Sequence, residues 1–142
     1  MRTLDVGCGQ MQRGDVNVDV HRVIKKPNSD FILASSSYLP FVSNAFEKVY
    51  CYHVLEHLNE PFKTLRELIR VSAYSVECTV PYGKHPYAHI DTDHKSFFDR
   101  GWFSKALAQF KCGSNINLRL DNERSIFYLP IEIVIQIWKT NK

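Results

Sequence analysis

The spacing of apolar residues changes several times along the chain, and each change predicts an element. Short apolar or β-branched runs at roughly 2–6, 16–20 and 30–33 have strand length. Residues 45–52 alternate around Phe46, Val49 and Cys51, and 74–80 is β-branched, which predicts a fourth and a fifth strand. Between these two, Phe62, Leu65, Leu68 and Ile69 recur at three- and four-residue steps, the buried stripe of a helix, with Lys63, Arg66, Glu67 and Arg70 on its solvated side. Asn59 is the expected cap of that helix, and Pro61 suits its first turn. A second helix is expected over 102–110, with Phe103, Ala106, Leu107 and Phe110 inward and Gly113 as its stop. Residues 115–120 and 131–138 alternate strongly. Ile131, Ile133, Ile135 and Ile137 share one face and Glu132 and Gln136 the other, so the chain is expected to close on two adjacent strands.

Composition adds bounds. A chain of 142 residues, 44% apolar and 23% charged, is one ordinary globular domain over 1–142. The net charge of +3 and the lack of a long basic run give no case for a nucleic-acid partner. No apolar stretch approaches a membrane span, and no signal peptide is expected, since the sequence runs straight into a strand-like stretch. Four cysteines, Cys8, Cys51, Cys78 and Cys112, lie in or beside apolar runs without metal-ligand spacing. A reduced, cytoplasmic protein is therefore expected.

The chemistry concentrates at the first two strands. Leu4-Asp5-Val6 runs into Gly7-Cys8-Gly9, and Val16-Asn17-Val18 ends on Asp19. Glycines after a strand admit a ligand close to the backbone, and a carboxylate at the tip of the next parallel strand can accept from a ribose diol. The plainer alternative is a tight turn between two buried strands.

Asp5-Val6-Gly7-Cys8-Gly9 resembles the first motif of class I S-adenosylmethionine-dependent methyltransferases. Asp19, Leu39-Pro40-Phe41, Phe46-Glu47-Lys48-Val49 and His53-Val54-Leu55-Glu56-His57-Leu58 follow in that family's order, so the likeness covers roughly residues 3–83. It implies an α/β fold: a doubly wound, mostly parallel Rossmann-like sheet with an antiparallel C-terminal strand pair. The chain departs from the family after the first strand. Gln10 to Asp15 is too short for a crossover helix, and the third glycine is replaced by Gln10 and Met11, so reduced helix content is expected there. The resemblance implies S-adenosylmethionine as cofactor, with Asp5 on its ammonium side and Gly7, Cys8 and Gly9 against its backbone approach. It further implies Asp19 on the ribose, Ser35, Ser36 and Leu39 around the adenine, and His53 near the methyl group as the catalytic residue. Ser35 stands where the family commonly has an acid.

The methyl acceptor is left unidentified, and without the N-terminal helix that the family usually places over the cofactor, a partner chain is expected to complete the site, as in a homo-oligomer. Two other readings share these residues: a methyltransferase-like binding module without catalysis, and a nicotinamide-dependent oxidoreductase, disfavoured by the missing third glycine. Cys8 has no neighbouring base and is read as a small residue in a tight loop. The polar stretch 84–100, with His85, His89 and His94, is expected to be a lid or substrate loop. His53, Glu56 and His57 would share one helical face and hold a metal with one of those histidines. Pro61 argues against a continuous helix there, so the pair is taken to tie the loop to the next helix and no metal is assigned.

Overall fold

A computed structural model of the chain describes residues 2–110, 116–126 and 129–139, with 116–126 and 129–131 as backbone alone. Cys112 and the expected stop at Gly113 lie outside the described residues. The strands are β1 (Thr3–Val6), β2 (Val16–Asp19), β3 (Asp30–Leu33), β4 (Phe46–Tyr52), β5 (Ser72–Pro81), β6 (Ile116–Ile126) and β7 (Leu129–Lys139). They form one sheet in the order β3-β2-β1-β4-β5-β7-β6. β1 to β5 pair in parallel, while β7 runs antiparallel to β5 and to β6. The sequence order therefore reverses between β1 and β4, which opens a crevice at the carboxyl ends of these strands.

Period-two alternation decides which face each strand buries. Leu4, Val16, Val18, Val49, Cys51, Val76, Cys78, Ile133, Ile135 and Ile137 belong to one buried cluster. Leu65, Leu68 and Ile69 of helix α1 (Pro61–Val71) and Phe103 and Leu107 of helix α2 (Arg100–Phe110) complete it. Phe62 and Phe110 stack where the two helices meet, 4.7 Å between ring centres. Both helices thus cover the same face. The opposite face presents Lys48, Tyr50, Tyr52, Glu77, Thr79 and Gln136, in register across β4, β5 and β7, and carries no helix among the described residues. The helix deficit expected after β1 is the deficit of this whole face.

The connector between β1 and β2 is a tight turn. Gln12 is buried, donating to the Ile24 carbonyl at 2.5 Å and accepting from the Lys26 N–H at 2.8 Å. A Cβ on Gly14 would stand 2.4 Å from the Val16 carbonyl oxygen, so only glycine lets the chain fold back this closely.

Two local expectations change. Asn59 is not the cap of α1: Glu60 holds that position without a side-chain bond, and Pro61, which has no N–H to satisfy, starts the helix. Glu67 and Arg70 are not simply solvated. Glu67 accepts from the Leu39 N–H at 2.9 Å, and Arg70 donates to the Phe41 and Leu39 carbonyls at 2.7 and 3.1 Å. Together they latch the segment after β3 onto α1.

Candidate functional site

The glycine loop after β1 is sewn to β2: the Gly7 and Cys8 N–H groups both donate to the Val18 carbonyl, at 2.8 and 3.1 Å. Gly7 has φ +69°, and a Cβ there would lie 2.2 Å from Val54 Cγ2, so the segment after β4 already demands this glycine. Gly9 is different. Its φ is +48° and a Cβ would meet nothing within 4 Å, so its outer side is open space. Its N–H donates to Asp19 Oδ2 at 3.0 Å, while the His21 N–H donates to Oδ1 at 2.9 Å. Asp19 is thereby held in one orientation, 13% exposed, with a lone pair on each oxygen still unused.

Beside Asp19 lies a cleft of about 260 Å³ with apolar walls from Val18, Ala34, Val54 and Leu58. Gly7, Ser36 and His53 also line it. Of the residues expected to hold a ligand, these and Asp19 meet at one place, with Gly9 at its edge. The others lie elsewhere. Asp5 is 1% exposed; its Oδ2 accepts from the Arg13 N–H at 2.8 Å, and Oδ1 is buried with no partner among the described residues. Burial holds its carboxyl above the usual aspartate range, against the pull of Arg13. Cys8 is buried and its thiol is pushed up to about 12, first by burial and then by the two nearby carboxylates, which suits an inert packing residue. Leu39 belongs to the core. Ser35 is exposed, and Ser36 Oγ shares a hydrogen bond with Thr64 Oγ1 at 3.2 Å.

His53 follows β4 with φ +55°, a conformation costly for a residue with a side chain, and its N–H donates to the Thr79 carbonyl at 2.9 Å. Its ring stands between two carboxylates: Nδ1 is 3.2 Å from Glu56 Oε1, and Nε2 is 3.3 Å from Glu132 Oε1. The hydrogen bond to Glu56 is the main cause that raises its pKa, and burial opposes it. His53 also borders a second cleft of about 310 Å³ on the helix-free face, with Arg13, Tyr52, Glu77 and Glu132. The Arg13 guanidinium lies over the Tyr52 ring, 4.6 Å from its centre. Arg13 and Tyr52 escape a sequence reading, because nothing local brings the connector over the end of β4. The alternation of β7 does place Glu132 on this face, but not its neighbour.

The stretch 84–100 is anchored over the turn at Leu55–His57. The Lys95 and Ser96 N–H groups donate to the Glu56 carbonyl at 2.7 and 3.0 Å. His85 accepts from the Tyr87 N–H at 3.2 Å, and His89 stacks on Phe97 at 4.3 Å. His94 turns inward beside His57, 5.0 Å between ring centres.

Comparison with known proteins bears on this arrangement. A family model described as a methyltransferase domain matches residues 12–74. Over that stretch the chain is similar to a methyltransferase domain. A demethylmenaquinone methyltransferase of Renibacterium salmoninarum is 36% identical over 83 residues, 58% of this chain and 34% of the relative. The chain thus spans about a third of the length of that curated relative. Among solved structures, a methyltransferase of Thermotoga maritima described as a possible histamine N-methyltransferase superposes with a TM-score of 0.74 at 10% identity, covering 98% of this chain and 82% of that one. The YcgJ protein of Bacillus subtilis gives 0.71 at 14% identity, covering 99% and 92%. The Synechocystis magnesium protoporphyrin IX methyltransferase, solved with bound S-adenosylmethionine, gives 0.71 at 12%, covering 99% and 70%. At such identities the structures establish the fold, which here leaves one face of the sheet without a helix among the described residues. Among its described residues no helix is long and apolar enough to cross a membrane.

Proposed function

We propose that the chain binds S-adenosylmethionine in the cleft beside Asp19 and transfers its methyl group to an acceptor that enters from the second cleft. The observation that carries this is Asp19 itself: a preoriented carboxylate at the tip of β2, facing an apolar slot, next to a glycine whose outer side is open. That donor set fits a nucleoside, since the carboxylate takes the ribose hydroxyls and the walls take the base. Bound there, the cofactor supplies an electrophilic methyl group on a sulfonium that leaves as a neutral thioether. The protein's part is then mostly positioning.

His53 is the side chain common to both clefts, and we assign it the catalytic position. Arg13, which lines the second cleft, suits the cofactor's carboxylate better than the enclosed Asp5 suits its ammonium. The three described cysteines are unpaired and buried, which agrees with a cytoplasmic setting. A second copy covering the helix-free face would close the second cleft, and sedimentation velocity reads that assembly.

Calorimetric titration with S-adenosylmethionine, S-adenosylhomocysteine and NAD tests the binding site. Asp19→Ala is expected to weaken the first two at least about tenfold, as loss of a charged contact of roughly 1.5–3 kcal/mol requires. Unchanged affinity in a folded Asp19→Ala protein, or preference for NAD, defeats the assignment. A second reading, a nucleoside-binding module without methyl transfer, is favoured by the engagement of both His53 ring nitrogens. It predicts binding without formation of S-adenosylhomocysteine when the protein is mixed with a metabolite extract.

A further inference from the structure

The sequence reading set a metal aside because Pro61 prevents one helix from carrying His53, Glu56 and His57. The structure brings three of those candidates together without His53. One ligand atom each from Glu56, His57 and His94 lie within 4.8 Å of one another. They come together because the loop 84–100 is pinned to the turn after β4 by the two bonds to the Glu56 carbonyl and by Ser96 Oγ, which donates to the Leu58 carbonyl at 2.9 Å.

The protonation of both rings follows from their partners. His57 Nδ1 lies 3.3 Å from the Asp93 carbonyl oxygen, and His94 Nδ1 lies 2.8 Å from the Ala88 carbonyl oxygen. A carbonyl only accepts, so each Nδ1 carries the hydrogen, and in the neutral ring each Nε2 keeps its lone pair for a cation. Backbone carbonyls behind the imidazoles are the usual orienting partners of metal-binding histidines. Glu56 is 1% exposed. Its Oε1 is held by His53, while Oε2 is buried with no hydrogen-bond partner among the described residues. A buried carboxylate oxygen without a partner is costly, and a cation at this point satisfies it. The nearest competitor is Asp91, whose Oδ2 is 3.6 Å from His94 Nε2 and half-exposed.

We propose that Glu56, His57 Nε2 and His94 Nε2 form a binding site for a divalent transition cation of the zinc type. Two imidazoles and one carboxylate with a coordination position left over is the donor set of an open zinc site. A tetrahedral ion with bonds of about 2.0–2.1 Å needs ligand atoms roughly 3.4 Å apart, so the three side chains draw together on loading. His57 also lines the Asp19 cleft, so the ion site borders that cleft. An acceptor hydroxyl or amine would bind there. That last point rests on the methyl-transfer reading, whereas the ion site does not.

The test uses the full chain, stripped with chelator and titrated with zinc, manganese and magnesium, together with the visible spectrum of the cobalt(II)-loaded protein. We expect one zinc per chain by elemental analysis, a raised melting temperature, and cobalt bands of a four-coordinate site with nitrogen ligands. His94→Ala and Glu56→Gln are each expected to weaken zinc at least about tenfold, whereas His85→Ala and His89→Ala leave it unchanged. S-adenosylhomocysteine affinity, read on the same His94→Ala sample, stays at the wild-type value, so loss of the ion site and failure of the cofactor site are told apart. If Glu56→Gln unfolds, His94 lies on an anchored surface loop and carries the test alone. No stoichiometric zinc in the wild-type protein, or zinc retained undiminished in His94→Ala, overturns the proposal.

Discussion

The two faces of the sheet are built from the same strands and hold together by different physics. Toward the helices, Val49, Cys51, Val76 and Cys78 are sealed from water under α1 and α2. Toward the other side, Lys48, Tyr52 and Gln136 all converge on Glu77: the lysine at 2.7 Å, the glutamine at 3.3 Å, and the tyrosine hydroxyl in a short hydrogen bond. A face that keeps no helix cannot rest on aliphatic burial, so it is closed by hydrogen bonds and by long side chains lying over the strands. The lesson is that dropping one helix changes the chemistry of half the sheet.

That contrast can be broken by mutation. The largest effect belongs to the covered face: Leu65→Ala, at a fully buried position in α1, should cost about 2–5 kcal/mol in urea denaturation. A loss below 1 kcal/mol would mean that the helices add little to the sheet. Next comes Glu77→Gln, which removes the charge at the centre of the open face. The expected cost is about 1–2 kcal/mol, discounted because Lys48 is a third exposed.

This second effect depends on pH. Burial works to raise the Glu77 carboxyl, but the bonds from Lys48 and Tyr52 outweigh it and hold it below the usual glutamate range. A depressed carboxyl stabilises above its unfolded value of about 4.3 and loses that contribution as pH falls through the lower folded value. The gap between wild type and Glu77→Gln should therefore close on acidification, while the Leu65→Ala gap should stay open. The smallest effect is that of Arg13→Ala, about 1 kcal/mol for the lost contact with Tyr52 and the long, partly exposed ion pair with Asp5, because the backbone bond from residue 13 to Asp5 survives.

Much of this was legible in the chain, and the parts that were not share a cause. The strands up to β5, the stripe of α1 and the polar face of β7 follow from periodicity, because alternation and three-to-four spacing report burial directly. Asp19 and the glycine loop are legible because their partners are near in sequence. Glu67 and Arg70 read as solvated residues since their partners, Leu39 and Phe41, are set by how the segment after β3 lands on α1. Likewise His85, His89 and His94 look alike in sequence. Only the anchoring of Lys95 and Ser96 to Glu56 separates His94 from the other two.

The strand order has a consequence for how the molecule is made. β5 finds its outer neighbour in β7, and β6, although synthesised earlier, pairs only with β7 at the rim. While the chain is still emerging from the ribosome, the row of peptide groups along Ser75 to Pro81 has no strand to join until residues 129–139 are out. Until then the nascent domain presents an open, partly apolar strand edge, the kind of surface on which chains stick to one another. Its survival in the cell would depend on how quickly that last stretch arrives, and on what shelters the edge in the meantime.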